Sequence, residues 1–245
     1  MAGALARGWA GAEGGPSAML FCDLDSERAA ALAEGVGGET RTNLPELAAD
    51  SEVLLLAVKP PALDDVAQEL AGKAPAVLSV LAGTPLSRVA EAFPGVPVLR
   101  VMPNQPVEVR RGVLCHPPPH EMPQELAERL LSLLGLLGTV VPVEERLIDA
   151  AMAVMSSSPA YLAMIVEALA RAGQREGLEP ELAHELVVDT LEGTAELLRI
   201  RDPAAVRSAV ASPGGATEKG LEALEQRGMH AAIVHAVRAS LERFR

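Results

Sequence analysis

Apolar positions follow two different rules along this chain. In the first half they form short runs that alternate with amphipathic stretches. Glu52–Val58 (EVLLLAV) is nearly continuous in apolar residues, as expected of a strand covered on both faces. Ala18–Cys22 is a shorter strand closed by Asp23, Ala76–Leu81 a third closed by Ala82-Gly83, and Val98–Val101 a fourth closed by Met102-Pro103-Asn104. Gly112–Leu114 and Thr139–Val141 read as two more. Helical spacing fills the intervals: Met1–Trp9, Ser26–Glu34, the stretch after Lys59-Pro60-Pro61 through Leu70, Leu86–Phe93 and Gln124–Leu134. The first of these helices starts abruptly, with no strand or cap before it. Alternating strand and helix predict a Rossmann-like, doubly wound α/β sheet.

After Pro142 the strand rule disappears. Glu144–Ala172 is helical in spacing and interrupted at Ser156-Ser157-Ser158-Pro159, where proline fits a kink or restart. Glu179–Ile200, Pro203–Ala211, Pro213–Arg227 and Met229–Phe244 follow as helices. The fold class is therefore α/β followed by all-α, with domains at 1–142 and 143–245. Repeats and low-complexity tails are absent from the sequence.

Composition refines this picture. Apolar residues make up 49% but aromatics only 2%, so the core must be built from Ala, Leu and Val, which suits close-packed helices and a parallel sheet. A formal net charge of -12 argues against nucleic acid or an anionic membrane as a partner. Neither a signal pattern nor an apolar run of membrane-spanning length is read from the sequence. Cys22 and Cys115 lie far apart without metal spacing, so a reducing, cytoplasmic setting is the default.

Candidate chemistry falls in two places. In an open parallel sheet, ligands bind beyond the C-terminal strand ends, which here carry Asp23, Lys59-Pro60, Ala82-Gly83 and Met102-Pro103-Asn104. The second place is Ala211-Ser212-Pro213-Gly214-Gly215-Ala216-Thr217. Ser212 suits an N-cap and Pro213 a first helical position, and the glycines leave the first-turn N–H groups open to an anion. Thr217 adds a hydroxyl there. His116 and His120 flank three prolines and read as a solvated loop; no metal site is expected. Asp149 and Glu167 read as a solvated face or a partner contact.

These stretches, taken together, resemble the pyrroline-5-carboxylate reductase family. The most specific match is Val206–Leu224, around the SPGG-A/T-T signature. Ala57-Val58-Lys59-Pro60, Ala82-Gly83, Met102-Pro103-Asn104 before Val109-Arg110-Arg111-Gly112, Asp149-Ala150 and Pro159-Ala160-Tyr161 also match, in order. The resemblance implies an NADP- or NAD-dependent oxidoreductase of proline biosynthesis that reduces the cyclic imino acid 1-pyrroline-5-carboxylate. Cofactor contacts would come from Met1, Ala2, Asp23, Asn43, Ala57, Val58, Lys59, Pro60, Ala82, Gly83, Met102 and Asn104. Substrate contacts would come from Asn104, Ser212, Gly214, Gly215, Ala216 and Thr217, with Thr217 catalytic. The helical half would pair with another subunit, as a homodimer or a ring of dimers.

Two departures stand out. The family opens with a strand and a G-x-G-N-M-G/A turn, of which Met1-Ala2 matches only the end, so the first strand is absent and the expectation is a start at an internal methionine. Met155-Ser156-Ser157-Ser158-Pro159 stands where the family has S-G-S-G-P. Two alternatives remain open: a reductase of another cyclic imine, or a non-catalytic dimeric paralogue.

Overall fold

In the computed structural model, which describes residues 1–70 and 72–242, three neighbouring runs form the central ladder: β3 (Leu54–Leu56), β4 (Val77–Ser79) and β5 (Val98–Arg100). They are parallel, with Leu54 opposite Val77 and Val77 opposite Val98. β4 and β5 are buried at every position, and successive residues enter opposite cores. Val77 and Val98 join Leu54, Leu63, Val89 and Phe93 on one face, whereas Leu78 and Leu99 join Leu5, Val101, Leu114 and Leu134 on the other. The period of two thus feeds two helical layers. On the first face lie α3 (Leu44–Ala49), α4 (Leu63–Glu69) and α5 (Leu86–Ala92); on the second lie α1 (Ala2–Ala10) and α6 (Gln124–Gly135). This is the doubly wound arrangement that the alternation predicts.

A parallel pair, β1 (Leu20–Phe21) with β2 (Glu39–Thr40), flanks α2 (Ser26–Val36). A third ladder joins β6 (Met102–Pro103), β7 (Gly112–His116) and β8 (Gly138–Pro142); β6 runs antiparallel to β7, and β7 parallel to β8. Gly138, at φ 145, makes the last pairing possible, because a Cβ there would lie 2.0 Å from the Gly112 carbonyl oxygen. Among the described residues β1 pairs only with β2, and β3 only with β4, so each keeps one edge without a strand.

The structure corrects several readings. β2 and α3 have no expectation behind them: β2 is two exposed polar residues, and α3 is a six-residue helix capped by Asn43 with Pro45 in its first turn. Asp25 caps α2 through a bond from Arg28 N–H, and the helix continues past the expected Glu34 to Val36 before left-handed Gly37 ends it. Met102-Pro103 is not merely the close of β5 but a strand of the neighbouring ladder. His116 is no solvated loop residue; it is buried at the end of β7, while the His120 backbone bridges Val98.

Contacts divide the chain into two compact units, Met1–Ser157 with the end of the last helix, and Ser158–Ser240. The composition changes at Pro142, but α7 (Ile148–Met155) buries Ile148 and Met152 against Met102 and Cys115, within the first unit. The second unit is helical: α8 (Ser158–Arg175), α9 (Pro180–Ile200), α10 (Pro203–Val210), α11 (Ala216–Gln226) and α12 (Met229–Glu242). The expected end of the last helix at Phe244 lies outside the described residues. Among the described residues of this unit, the buried apolar set is only Ala170 and Ala183. Leu162, Met164, Leu186, Leu198 and Ile233 are exposed. One sequence expectation is revised here: Glu145–Arg175 is long and apolar enough to cross a membrane by length and composition, with a mean hydropathy of 1.4. It is broken, however, into a 3₁₀ turn, α7 and α8.

Candidate functional site

The strand-end residues come together as expected for β3, β4 and β5. Because these strands are parallel, Ala57-Val58-Lys59-Pro60, Ala82-Gly83 and Met102-Pro103-Asn104 leave them at the same end. Ala57 through Pro60 are exposed, and Gly83 turns the chain at φ 66. Asp23 follows β1 and is exposed; its Oδ1 accepts from Asp25 N–H at 3.0 Å. Asn43 follows β2, where its Oδ1 accepts from Glu46 N–H at 2.9 Å and its Nδ2 donates to Thr42 Oγ1. Bonds from Thr42 and Asn43 hold the Glu46 carboxyl below its ordinary range. The Cys22 thiol beside this edge is pushed up by burial, then by the carboxylates of Glu69, Asp23 and Glu46, which leaves it a poor nucleophile.

Met1 caps α1 without a side-chain bond, so the N–H groups of Ala2, Gly3 and Ala4 carry no partner among the described residues. An uncapped N-terminus of a nine-residue helix is suited to a phosphate group. The residues present therefore fit a dinucleotide: an uncapped helix start for its diphosphate and an exposed strand-end row beside it.

Asn104 is buried, and both ends of its carboxamide are engaged: Nδ2 donates to the Met155 carbonyl at 3.1 Å, and Oδ1 accepts from Val113 N–H at 2.8 Å. Nearby, Ser156 Oγ donates to the Pro103 carbonyl at 3.2 Å, a bond that glycine at this position would lack. Arg100, 2% exposed, donates to Glu145 at 2.6 Å and lies 3.4 Å from Asp149. Arg100 Nε and Glu145 Oε2 are buried without partners among the described residues. Asp149 thus faces a buried guanidinium rather than solvent alone. Arg100 was not singled out in the sequence, since one arginine at the end of an apolar run gives no signal until its partners, 45 and 49 positions away, are known.

In the helical unit the SPGGAT stretch differs from expectation. The helix starts at Ala216 with Gly215 as N-cap, so neither Ser212 nor Pro213 is at the helix start. Ser212-Pro213-Gly214-Gly215 is a tight turn instead: Gly215 N–H donates to the Ser212 carbonyl at 2.9 Å, and Gly214 sits at φ 74. Proline followed by a positive-φ glycine is the type II pattern. The N–H groups of Ala216, Thr217 and Glu218 have no partners among the described residues, and the exposed Thr217 hydroxyl makes no bond there either. The open N–H groups thus begin at Ala216, three residues after the helix start expected at Pro213. Glu218 folds back so that its Oε2 accepts from Gly214 N–H at 2.7 Å. A Glu three residues past a cap is a recognisable capping signal.

A nucleotide-suited parallel sheet followed by a helical unit defines the class of two-part nicotinamide-dependent oxidoreductases. In agreement, residues 1–83 match the family "NADP oxidoreductase coenzyme F420-dependent", and residues 145–245 match "Pyrroline-5-carboxylate reductase dimerisation". The chain is 42% identical over 202 residues to the pyrroline-5-carboxylate reductase of Synechocystis, covering 81% of this chain and 76% of that protein. It is 33% identical to that of Treponema pallidum over 98% of this chain and 95% of the other. A solved 1-pyrroline-5-carboxylate reductase from Streptococcus pyogenes superposes with a TM-score of 0.90 at 28% identity, covering 100% of this chain and 94% of that one. The chain belongs to the pyrroline-5-carboxylate reductase family.

Proposed function

We propose that this chain reduces 1-pyrroline-5-carboxylate to L-proline with a reduced nicotinamide dinucleotide, in a reducing cytoplasm. The observation that carries this reading is the start of α11, where unpartnered N–H groups lie beside a free Thr217 hydroxyl, in a chain of this family. Support for the cofactor comes from the strand-end row and the uncapped start of α1. In this assignment Met1 and Ala2 serve the diphosphate. Asn43, Ala57, Val58, Lys59 and Pro60 line the dinucleotide, with Ala82, Gly83, Met102 and the Asn104 backbone toward the nicotinamide. When bound, that group supplies hydride to the ring carbon of the C=N bond.

The substrate carboxylate is assigned to the Ser212–Thr217 turn, held by the N–H groups of Ala216 and Thr217 and, once Glu218 withdraws, of Gly214. The Thr217 hydroxyl hydrogen-bonds the ring nitrogen and holds a proton there as that nitrogen becomes an amine. Asp25 is occupied in capping α2, so Asp23, which accepts from Asp25 N–H through one carboxylate oxygen, is assigned to the ribose; a carboxylate there favours hydroxyls over a 2′-phosphate. NADH is accordingly expected to serve well beside NADPH. Exposed leucines on α8 and α9, together with the dimerisation-family match, support a homodimer or a ring of dimers.

The test is steady-state reduction of 1-pyrroline-5-carboxylate by the purified chain with NADPH and with NADH. Turnover with both is expected. Absence of turnover with either would leave the non-catalytic paralogue as the reading, and turnover only on other cyclic imines would change the substrate.

A further inference from the structure

Segment Arg100–Asn104 grips segment Glu145–Ser156 at both ends. At one end Arg100 reaches Glu145 and Asp149; at the other, Asn104 reaches the Met155 carbonyl while Ser156 reaches the Pro103 carbonyl. Between the two, Met102 and Cys115 pack against Ile148 and Met152. Asn104 is the most heavily committed residue of this clasp. Its backbone N–H donates to the Val113 carbonyl at 3.2 Å and its carbonyl accepts from Val107 N–H at 3.2 Å, in addition to both ends of its side chain. The side chain must donate to a carbonyl and accept from an amide at once, which a carboxamide of this length does whatever the pH. The turn that it holds, Met155-Ser156-Ser157, is where the chain passes from the first compact unit to the second.

We propose that Asn104 is a positioning residue for the reaction: its carboxamide fixes the Met102–Asn104 edge and the Met155–Ser156 turn in one geometry, and that side chain touches neither cofactor nor substrate. The inference rests on the reductase reading, in which that edge lies toward the nicotinamide. A displacement of a fraction of an ångström there misplaces the reacting groups and lowers turnover, with binding little changed.

Asn104→Asp is the informative variant. It keeps the shape and the acceptor for Val113 N–H but turns the donor into a carboxylate oxygen facing the Met155 carbonyl. Protonation of the introduced carboxyl restores a donor, and burial raises its pKa above the ordinary aspartate value of about 3.9.

The full chain, wild type and with Asn104→Asp or Asn104→Ala, is assayed with 1-pyrroline-5-carboxylate and NADPH from pH 5.5 to 8.5, alongside thermal melting and amide exchange at Val113. At pH 8 Asn104→Asp is expected to lose roughly tenfold to a hundredfold in kcat, with both KM values within about threefold of wild type. Relative to wild type, kcat and melting temperature should both recover as pH falls. Asn104→Ala should show faster exchange at Val113 and no recovery. A tenfold rise in either KM with kcat preserved would mean direct contact and overturn the proposal, as would a loss in Asn104→Asp that is independent of pH. If the wild type itself does not turn over, the reductase reading fails. The clasp is then judged by melting and exchange alone, and unchanged values in both variants overturn it.

Discussion

Replacing Thr217 by alanine separates a catalytic hydroxyl from a structural one, because the two roles differ in sign as well as size. Thr217 is exposed, sits in the first turn of α11, and its hydroxyl makes no hydrogen bond among the described residues. A cap would have been worth about 1 kcal/mol, but the cap is Gly215, so that loss does not apply. What remains is helix propensity, in which alanine exceeds threonine by up to about 0.7 kcal/mol. Thr217→Ala should therefore leave the protein as stable as before or slightly more so, with a melting shift upward of no more than about 1–3 °C for a chain of this size. If the hydroxyl serves the ring nitrogen, kcat should fall roughly 10²-fold, or about 2.7 kcal/mol of transition-state stabilisation. The cofactor KM should hardly move, and Thr217→Ser, which keeps the hydroxyl, should retain most of the turnover. Initial rates against both substrates, with a thermal melt of each variant, make the measurement. Wild-type kcat in Thr217→Ala would refute the catalytic role, and a parallel fall in melting temperature would show that the threonine is structural after all.

Glu218→Gln should lower the KM for 1-pyrroline-5-carboxylate by about three- to tenfold with kcat unchanged, because the native carboxylate occupies Gly214 N–H and repels a second anion; a higher KM would refute this. The bond from Arg7 holds the Glu108 carboxyl below its ordinary range. Its folded pKa is thus lower than its unfolded one, so its contribution to stability is present above the unfolded value of about 4.3 and is lost as pH falls through the folded value. Glu108→Gln should flatten this part of the acid limb of melting temperature against pH, and an unchanged limb would show that the pair contributes nothing. Light scattering at micromolar concentration should give a dimer or a multiple of dimers; a monomer would leave the apolar faces of α8 and α9 without their proposed partner.

Local patterns were sufficient for much of this protein. The runs EVLLLAV, Ala76–Leu81 and Val98–Val101 declare buried parallel strands because residues covered on both faces leave no polar position to break the run, and the structure sorts Val77 from Leu78 into opposite cores accordingly. The starts of α5, α6 and α9 follow from Pro85, Pro123 and Pro180 and from 3.6-residue spacing, which act within one turn, whereas the stretch read as helical over Glu144–Ala172 divides into a 3₁₀ turn, α7 and α8. Proline followed by two glycines announces a tight turn, and the helix begins three residues later than the proline suggests, since a positive-φ glycine cannot continue the helix from it. Two-residue β2 was not legible: polar, exposed and short, it exists only because β1 offers it a ladder.

The remainder was decided by contacts between residues distant in sequence. The pairing of Arg100 with Glu145 and Asp149 and the bond from Asn104 to the Met155 carbonyl bridge 45, 49 and 51 positions, and the packing of α7 on Met102 and Cys115 is likewise long-range. Hydrogen-bond donors and acceptors carry no periodicity that announces a distant partner. A buried asparagine and one free to meet a ligand look alike in a sequence. Only the folded chain, by placing a carbonyl at one end of the carboxamide and an amide at the other, shows that the side chain of Asn104 is already in use.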